Sequence, residues 1–446
     1  MFKRFVLLFV MLFIFTTMFV IQAQDEEGST VPVVQLDACP VPDASGTFEV
    51  WLGGANWDAF IAEFQEACPN LEILSGEREW GDIQTQVQLA ITAGEGACDL
   101  CPMEQKDVSR FVYGGGLLDI TDWVEPYVDQ ISAGTWESVT GPDDRIYGLP
   151  TDVGPVVIYY RRDVFELAGL PSDPESVSDM IPTWEDYLEV CQTIKENTGL
   201  YCFHNSKANN DARHYEMMLW SQGLGYYDNE GELTVASPAN VATLELMGQF
   251  WDEDLVTDFS SWTDEWYAGF SSFDEPVASI VIAGWMELFL PTWIAPDTAG
   301  LWGVARMPGG NAEMGGARAA LDGGSVLFIP AHSDQPEAAR ALMEYAVLNY
   351  DNALLWRTEF GLFPGLTEIY SDPALEEPDP FFAGQVTNPL YLDVYSQVPS
   401  ANIWGPDYTM MNEVVRVAIQ RYATGQASAE EALESAQAEI AANLAD

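Results

Sequence analysis

Tyr147-Gly148-Leu149-Pro150 precedes the continuous apolar run Val156-Val157-Ile158-Tyr159-Tyr160. An apolar run without polar alternation is typical of a strand that is covered on both faces. Sequence patterns typical of strands and helices alternate before these stretches. A second series of alternating patterns begins at the quoted stretches. Alternating elements predict a mainly parallel sheet flanked by helices. We therefore expect an α/β fold made of two such units, which separate close to Pro150.

The first series contains three apolar segments that predict strands. These segments are Phe48–Leu52, Leu71–Leu74 and Asp99–Cys101. Apolar residues at helical spacing lie between them, from Trp57 to Cys68 and from Ile83 to Ile91. This order predicts parallel strands with helices on both faces of the sheet.

The second series contains further strands and well-marked helix starts. Ser279–Ala283 and Ser325–Ile329 predict strands, and Pro336 opens a helix. Thr183 and Ser428 each stand three residues before an acidic residue, which is the spacing of an N-terminal capping box. Helices are therefore expected to begin just after these two residues.

The N-terminus has the pattern of an export signal. Lys3 and Arg4 precede a long apolar run, and Ala23 follows it as a small residue suited to cleavage. We expect a signal peptide over 1–23 and a flexible leader over 24–46, with an uncleaved membrane anchor as the alternative. No cysteine at the end of the run offers a lipidation site. The expected location is the periplasm or the outer face of the cell envelope.

The length and the net charge of the chain limit its number of domains and the classes of ligand that it can bind. The 446 residues suffice for two domains. The formal net charge is −53, and removal of residues 1–23, which hold Lys3 and Arg4 and no acid, changes it to −55. Such a field repels nucleic acids and anionic membrane surfaces. We interpret it as a solvated acidic surface, and capture of a cationic solute such as a polyamine is the alternative.

Six cysteines in an exported chain predict disulfides. They are Cys39, Cys68, Cys98, Cys101, Cys191 and Cys202. We expect a bond between Cys191 and Cys202, which lie close together at a helix and the strand after it. Cys98 and Cys101 fall on a predicted strand, where residues three apart do not bridge easily. Cys39, Cys68 and Cys98 are expected at one end of the first unit, so Cys39 is expected to pair with Cys68 or with Cys98.

Motifs around the first apolar run resemble a known family. In order along the chain they are Asp144-Arg145-Ile146-Tyr147-Gly148-Leu149-Pro150, Val156–Tyr160, Arg162-Asp163-Val164-Phe165, Ala168-Gly169-Leu170 and Pro182-Thr183-Trp184-Glu185-Asp186-Tyr187. Their order and spacing resemble the family 1 extracellular solute-binding proteins of ABC importers, which include the maltodextrin-binding proteins. The resemblance extends from about residue 47 to the C-terminus. It departs from the family pattern at Arg161-Arg162, at an insertion over 171–181 and in the number of cysteines.

The resemblance implies a type II-like periplasmic-binding-protein fold. Two α/β lobes are then joined by three crossing segments, and the ligand lies between the lobes. We place the crossings near 150–155, 302–308 and 350–358. The expected lobes are an N-terminal lobe of 47–151 plus 305–354 and a C-terminal lobe of 152–304 plus 355–446. The implied function is capture of a mono- or oligosaccharide by a monomer, which delivers it to the permease of an ABC importer.

Candidate ligand-binding residues follow from the chemistry of a sugar. Its ring faces need aromatic platforms, and its hydroxyls need carboxylates, amides or arginine. Ligands of open α/β sheets bind beyond the carboxyl ends of strands. The candidates that follow predicted strands are Asn56, Trp57, Arg78, Trp80, Glu104, Gln105 and Trp285. Asp152 lies in the first crossing, Gly324 and Ser325 offer backbone amides, and Trp404 and Tyr408 precede a late helix. The resemblance implies a stacking tryptophan at Trp285 and an aromatic platform near Trp404.

Structural roles are the alternative for several of these side chains. Trp57, Trp80 and Trp404 suit a hydrophobic core as well as a cleft. Arg78 suits an ion pair with a neighbouring acid, and most of the many carboxylates suit a solvated surface.

A secreted glycoside hydrolase is the alternative from another class of protein. It needs two suitably separated carboxylates, but pairs are uninformative in a chain with 70 acidic residues. The three histidines form no His-Glu-x-x-His motif, and the sequence has no Gly-x-Ser-x-Gly or phosphate-binding loop. We therefore expect a binding protein without catalytic residues, cofactor or metal.

Overall fold

The fold is described from a computed structural model. It describes residues 33–52, 57–78, 80–131, 135–228, 230–310, 318–398 and 404–445. The expected signal peptide and residues 24–32 of the expected leader lie outside these ranges. Within them, no helix is long and apolar enough to cross a lipid bilayer.

Strands and helices alternate along the chain as expected for an α/β protein. The strands are β1 (Gly46–Leu52), β2 (Leu71–Glu77), β3 (Cys101–Glu104), β4 (Leu149–Pro150), β5 (Asp152–Val153), β6 (Val156–Arg161), β7 (Phe203–His204), β8 (Val256–Thr257), β9 (Ser279–Ala283), β10 (Trp302–Arg306), β11 (Ser325–Phe328) and β12 (Phe363–Pro364). The helices are α1 (Asp58–Ala67), α2 (Trp80–Ala93), α3 (Gln105–Gly114), α4 (Thr121–Val124), α5 (Arg162–Leu167), α6 (Pro174–Met180), α7 (Trp184–Thr198), α8 (Arg213–Trp220), α9 (Pro238–Asp252), α10 (Asp264–Ser271), α11 (Met286–Phe289), α12 (Pro336–Met343), α13 (Tyr350–Thr358), α14 (Asn388–Ser396), α15 (Tyr408–Ala423) and α16 (Ala429–Asn443).

The first lobe is built on β1, β2, β3, β4 and β11. β1 and β2 pair in parallel with Gly46 opposite Leu71. A parallel bridge between Val50 and Leu100 places the start of β3 beside β1. β11 runs antiparallel between β3 and β4. The strands therefore share one direction except β11, which enters from a distant part of the chain.

The second lobe is built around β6, which is the apolar run quoted at the outset. Val156, Ile158 and Tyr160 face one hydrophobic cluster, and Val157 and Tyr159 face another on the opposite side of the strand. Coverage on both faces is confirmed, since none of these side chains is exposed. β6 nevertheless pairs antiparallel with both β9 and β10, so the predicted parallel direction of this strand is wrong. Its direction depends on strands more than 100 residues later in the sequence, which local periodicity does not report.

Helix starts in the second lobe agree with the sequence. The Thr183 hydroxyl accepts the Asp186 N–H at 3.1 Å, and the Asp186 carboxylate accepts the Thr183 N–H. The same reciprocal box joins Ser428 to Glu431 at the start of α16. Both predicted caps are confirmed, and each satisfies backbone N–H groups that the helix leaves free.

The cores indicate where the chain crosses between the lobes. The core of the first lobe draws on residues 48–149 and 326–360, and that of the second on 153–321 and 363–440. The sequence placed one crossing near 302–308, but β10 lies there within the second-lobe sheet because its apolar residues pair with β6. Packing thus supports crossings near 150–153, 321–326 and 360–363, and we propose lobe limits at these positions.

The segment that precedes β1 is attached to the first lobe. The Val34 N–H donates to Asn352 Oδ1 at 2.8 Å, and the Tyr345 hydroxyl donates to the Val34 carbonyl at 2.8 Å. A disulfide joins Cys39 to Cys68. The expectation of a flexible leader is therefore wrong for residues 33–45, because hydrogen bonds and a covalent bond hold this segment against α1 and α13.

Two further disulfides complete the set in the described residues. Cys191 and Cys202 are bonded as predicted, and they join α7 to the residue before β7. Cys98 and Cys101 are also bonded, which corrects the expectation that residues three apart on a strand would not bridge easily. β3 begins only at Cys101, and the bent chain before it brings the two Cα atoms to 5.5 Å. This separation is within the usual range for a disulfide.

Candidate functional site

A cavity of about 950 Å³ lies between the two lobes. The first lobe contributes the end of β3, the start of α3 and residues from α2 and α13. The second lobe contributes α8, α11 and the start of α15, and residues 322–325 close the cavity where the chain crosses. Its volume and position between lobes are typical of sites for small organic ligands.

Five aromatic side chains form one wall of this cavity, which we call the aromatic track. They are Trp262, Trp285, Phe289, Trp293 and Tyr267. Ring centroids lie 5.6 Å apart between Trp262 and Trp285, 5.4 Å between Trp285 and Phe289, and 5.5 Å between Phe289 and Trp293. The Trp285 indole N–H donates to the Asp322 carbonyl at 3.0 Å, which fixes the ring against the crossing segment.

Other tryptophans reach the cavity from largely buried positions. Trp57 and Trp356 contact each other in the first lobe with ring centroids 5.0 Å apart. Trp220 and Trp404 meet edge to face in the second lobe at 6.1 Å. All four side chains are buried, so each combines a core role with one edge at the cavity.

An arginine at the start of α8 connects the aromatic track to two carboxylates. The Arg213 guanidinium donates to the Asp322 carboxylate, and its Nε lies 3.6 Å from Asp211 Oδ2. It also lies 5.9 Å from the Trp262 ring and 6.0 Å from the Trp285 ring. Burial lowers the pKa of Arg213, but the two carboxylates outweigh it and the net pKa is raised. Arg213 is therefore a fixed cation behind the aromatic surface.

A buried carboxyl group lies about one turn farther along α8. Glu216 accepts hydrogen bonds from the Tyr226 hydroxyl at 2.7 Å, from the Tyr408 hydroxyl at 2.9 Å and from Asn412 Nδ2 at 2.8 Å. Burial raises the pKa of Glu216 to about 7, although these hydrogen bonds act in the opposite direction. The charge of this group therefore changes close to neutral pH.

The crossing segments bring polar backbone groups to the cavity. The Ser325 N–H donates to Asp152 Oδ1 at 3.0 Å, and Gln105 Nε2 donates to the Asp152 carbonyl at 2.9 Å. Burial raises the pKa of Asp152 to about 6. Gly324 has φ +106°, and a Cβ there would lie 2.9 Å from the Asp152 carbonyl oxygen. Only glycine suits this position, because other residues would add both strain and a clash.

Charged groups on the first lobe are paired with neighbours. Lys106 Nζ lies 2.5 Å from Glu104 Oε2. Burial lowers the pKa of Lys106, but the Glu104 carboxylate outweighs it and the net pKa is raised. Asp107 accepts hydrogen bonds from Gln84 Nε2 and from the Thr409 hydroxyl, and burial raises its pKa.

The structure brings eight of the predicted residues together at the cavity. They are Trp57, Glu104, Asp152, Trp285, Gly324, Ser325, Trp404 and Tyr408. Gln105 lies behind this surface and holds the Asp152 backbone. Arg78 lies over the Trp51 ring at 5.4 Å, apart from the residues that line the cavity. Asn56 and the side chain of Trp80 lie outside the described residues. Contact of any of these residues with a ligand stays a prediction.

Sequence reasoning missed several residues that line the cavity. Arg213 and Glu216 lie on α8, well beyond the end of the short strand β7, so the rule of strand ends did not select them. Trp262 and Trp293 belong to a stretch that is unusually rich in tryptophan, and that density was a usable signal.

Both the sequence and the structure of this chain are similar to those of bacterial solute-binding proteins. The sequence profile of the bacterial extracellular solute-binding protein family matches residues 51–349. The arabinooligosaccharide-binding protein of Halalkalibacterium halodurans is 28% identical over 423 residues, which cover 90% of this chain and 91% of the relative. The lactose-binding protein of Rhizobium radiobacter is 29% identical over 263 residues, which cover 58% of this chain and 59% of the relative.

Solved structures share the fold. An ABC transporter-associated binding protein from B. animalis subsp. lactis, in complex with β-1,6-galactobiose, has a TM-score of 0.74 and 24% identity, with 89% of this chain and 97% of that chain covered. Maltose-bound MalE3 of T. maritima has a TM-score of 0.73 and 22% identity, with 89% and 99% covered. These similarities establish the two-lobed α/β architecture.

Proposed function

Because the chain belongs to the bacterial extracellular solute-binding protein family, we propose that it captures a carbohydrate between its lobes and delivers it to an ABC importer. The proposed ligand is a neutral mono- or oligosaccharide. The proposed place of action is outside the cytoplasm, where the protein works as a monomer.

The composition of the cavity wall is the observation that carries this proposal. Aromatic rings from both lobes, among them Trp57 and Trp285, face the same space as amide, hydroxyl and carboxylate groups. Sugar rings have apolar faces and polar rims, and a site for them needs both kinds of group at close range. The names of the relatives point the same way, since one binds arabinooligosaccharides and another lactose.

The cationic ligand suggested by the net charge is the second candidate. Carboxylates outnumber cations around the cavity, which favours a positive ligand. However, Glu104 is paired with Lys106, and Asp322 is paired with Arg213. Glu216 already accepts three hydrogen bonds. Because these carboxylates have internal partners, the arrangement suits a neutral ligand better than a cation.

The protein binds the sugar without hydrolysing it in this proposal. A retaining or inverting glycosidase needs one carboxylic acid and one free carboxylate on opposite sides of the bond. The cavity carboxylates considered above are held by internal hydrogen bonds or ion pairs, which leaves them poorly placed for that role. We therefore propose that the bound sugar leaves the protein unchanged.

Thermal shift measurement on the mature protein tests the proposal. The panel contains arabinose, lactose, maltose, arabinooligosaccharides and spermidine. A ligand at about 100 times its Kd stabilises the folded state by about 2.7 kcal/mol, which is a measurable rise in Tm. We expect a rise with at least one saccharide and none with spermidine. A rise with spermidine alone would replace the sugar by a cation, and release of reducing sugar from an oligosaccharide would indicate a hydrolase.

A further inference from the structure

A buried ion pair joins the two lobes behind the cavity. Arg357, in the last turn of α13, is 5% exposed, and its Nη2 lies 2.5 Å from Oε2 of Glu287 on α11. α13 belongs to the first lobe, because the neighbouring Trp356 stacks on Phe60 of α1 with ring centroids 5.0 Å apart. α11 belongs to the second lobe, since Met286 lies in its core. The ion pair is therefore a contact between the lobes, and neither of its residues lines the cavity.

Further groups of the second lobe surround this pair. The Thr387 hydroxyl donates to Glu287 Oε1 at 2.5 Å, and Arg357 Nε donates to Asn388 Oδ1 at 2.6 Å. The guanidinium also lies 4.3 Å from the centroid of the Phe363 ring. Burial lowers the pKa of Arg357, but the Glu287 carboxylate outweighs it and the net pKa is raised. Arg357 therefore stays charged, and the partners of its charge belong to the other lobe.

The ion pair lies directly beside the third crossing between the lobes. Arg357 comes just before that crossing, near 360–363, and its side chain reaches across it to α11. The backbone of the crossing is itself close to α11. Gly361 has φ +61°, and a Cβ there would lie 2.8 Å from the Leu288 Cβ. A change in the angle between the lobes at this crossing must therefore move Arg357 relative to Glu287.

Separation of these two charges is energetically unfavourable. A buried arginine or carboxylate that loses its partner is left as an uncompensated charge. Angles between the lobes that part Arg357 from Glu287 are thus disfavoured, and the angle in this structure keeps them together. At this angle the lobes also touch beside the cavity, where the Thr409 hydroxyl donates to Asp107. The ion pair therefore favours the arrangement in which both walls of the cavity are in place.

We propose that Arg357 and Glu287 are positioning residues that hold the lobes at the ligand-binding angle before a ligand arrives. When only a fraction of a protein has the arrangement that binds, its apparent affinity is reduced by that fraction. The ion pair therefore raises the affinity for any ligand of the cavity without contacting it. Its effect on affinity rests on the proposed function, whereas its effect on the angle between the lobes does not.

Small-angle X-ray scattering of the ligand-free protein tests the angle between the lobes, and calorimetry with lactose and arabinotriose tests the affinity. The main variant is Arg357→Met/Glu287→Gln, which removes both charges and leaves no unpaired buried ion. Its new amide oxygen can still accept from the Thr387 hydroxyl. Arg306→Met is the control, because the ion pair of Arg306 with Asp393 lies within the second lobe. Urea unfolding establishes that each variant is folded.

We expect the ligand-free double variant to have a larger radius of gyration than the wild type. Its affinity should be about 3- to 10-fold lower, by the same factor for each sugar that binds. Arg306→Met should match the wild type in both measurements. Arg357→Lys keeps the charge and loses the bond to Asn388, so it should show a smaller change in the same direction.

An unchanged radius of gyration in the double variant and in Arg357→Lys would overturn the inference and leave the proposed function standing. A loss of affinity for one sugar but not for the other would also overturn it, because a change in the angle between the lobes affects every ligand of the cavity equally. Failure of both sugars to bind the wild type would count against the proposed function, and the scattering measurement would still decide the inference.

Discussion

The Thr409 hydroxyl donates a hydrogen bond to Asp107 Oδ1 at 3.0 Å, and this contact joins α15 of the second lobe to α3 of the first. A neighbouring contact has the same effect, since the Ser109 hydroxyl donates to the Trp404 carbonyl at 2.7 Å. Asp107, Thr409 and Trp404 line the cavity, so the lobes are in direct contact beside the proposed ligand site.

Thr409→Val should weaken ligand retention. The substitution preserves shape and removes one hydrogen bond to a carboxyl group, which is worth about 1 kcal/mol, or about fivefold in the dissociation rate constant. Stopped-flow measurement of the release of a bound sugar gives this dissociation rate constant. Thr424→Val is the matched control, because that hydroxyl is exposed and its hydrogen bonds, to the Gln420 carbonyl and from Gln426 Nε2, stay within the second lobe. Identical release rates in both variants would show that the contact between the lobes does not hold the ligand.

Trp285→Ala should reduce affinity far more than stability. Its ring belongs to the aromatic track and is only partly buried, so its removal deletes a ligand surface while leaving most of the core in place. We expect at least about a tenfold loss of affinity by calorimetry and a loss of less than about 2 kcal/mol in the free energy of unfolding. Trp285→Phe keeps an aromatic face, so its affinity should lie between that of the wild type and that of Trp285→Ala. Parallel losses of affinity and stability would identify Trp285 as a core residue.

Glu216→Gln should remove the decrease in folding stability that Glu216 causes as the pH rises through about 7. The folded-state pKa of Glu216 is raised to about 7 from an ordinary value of 4.5, so folding favours the protonated form. Its contribution is fully present below pH 4.5 and is lost as the pH rises through 7, which amounts to about 3 kcal/mol. Urea unfolding of the wild type and the variant at pH 5 and pH 8 measures the difference. Equal pH dependence in the two proteins would contradict the assignment.

His214→Phe should reduce sensitivity to acid. Burial lowers the folded-state pKa of His214 to about 4 from an ordinary 6.5, and its ring lies 4.9 Å from that of Phe203. The neutral form is therefore favoured by folding, and this stability is present above pH 6.5 and lost as the pH falls toward 4. Between neutral pH and pH 4.5, the free energy of unfolding of the variant should fall by about 2 kcal/mol less than that of the wild type. An unchanged acid transition would show that other groups govern it.

Local sequence patterns predicted much of the fold because the relevant signals are short-range. The caps at Thr183 and Ser428 and the buried run at Val156–Tyr160 each depend on residues a few positions apart. The direction of β6 depends on partners far along the chain, and sequence reasoning predicted it wrongly.

The same distinction applies to the candidate site. Trp285 and Ser325 could be selected because they follow or begin strands. Arg213 and Glu216 reach the cavity through the packing of α8, which no local pattern reports. The disulfide between Cys98 and Cys101 was missed because the position at which β3 begins decides it.

Thr151, in the first crossing segment, is hydrogen-bonded both to the second crossing segment and to the chain just after the third. The Thr151 N–H donates to the Ser325 carbonyl at 2.9 Å, and the Gly365 N–H donates to the Thr151 carbonyl at 3.1 Å. Antiparallel pairing of β5 with β12 adds to this connection. Segments joined in this way cannot bend independently. A movement of the lobes that bends one of these segments would therefore bend the other two with it, so the three segments act as one hinge.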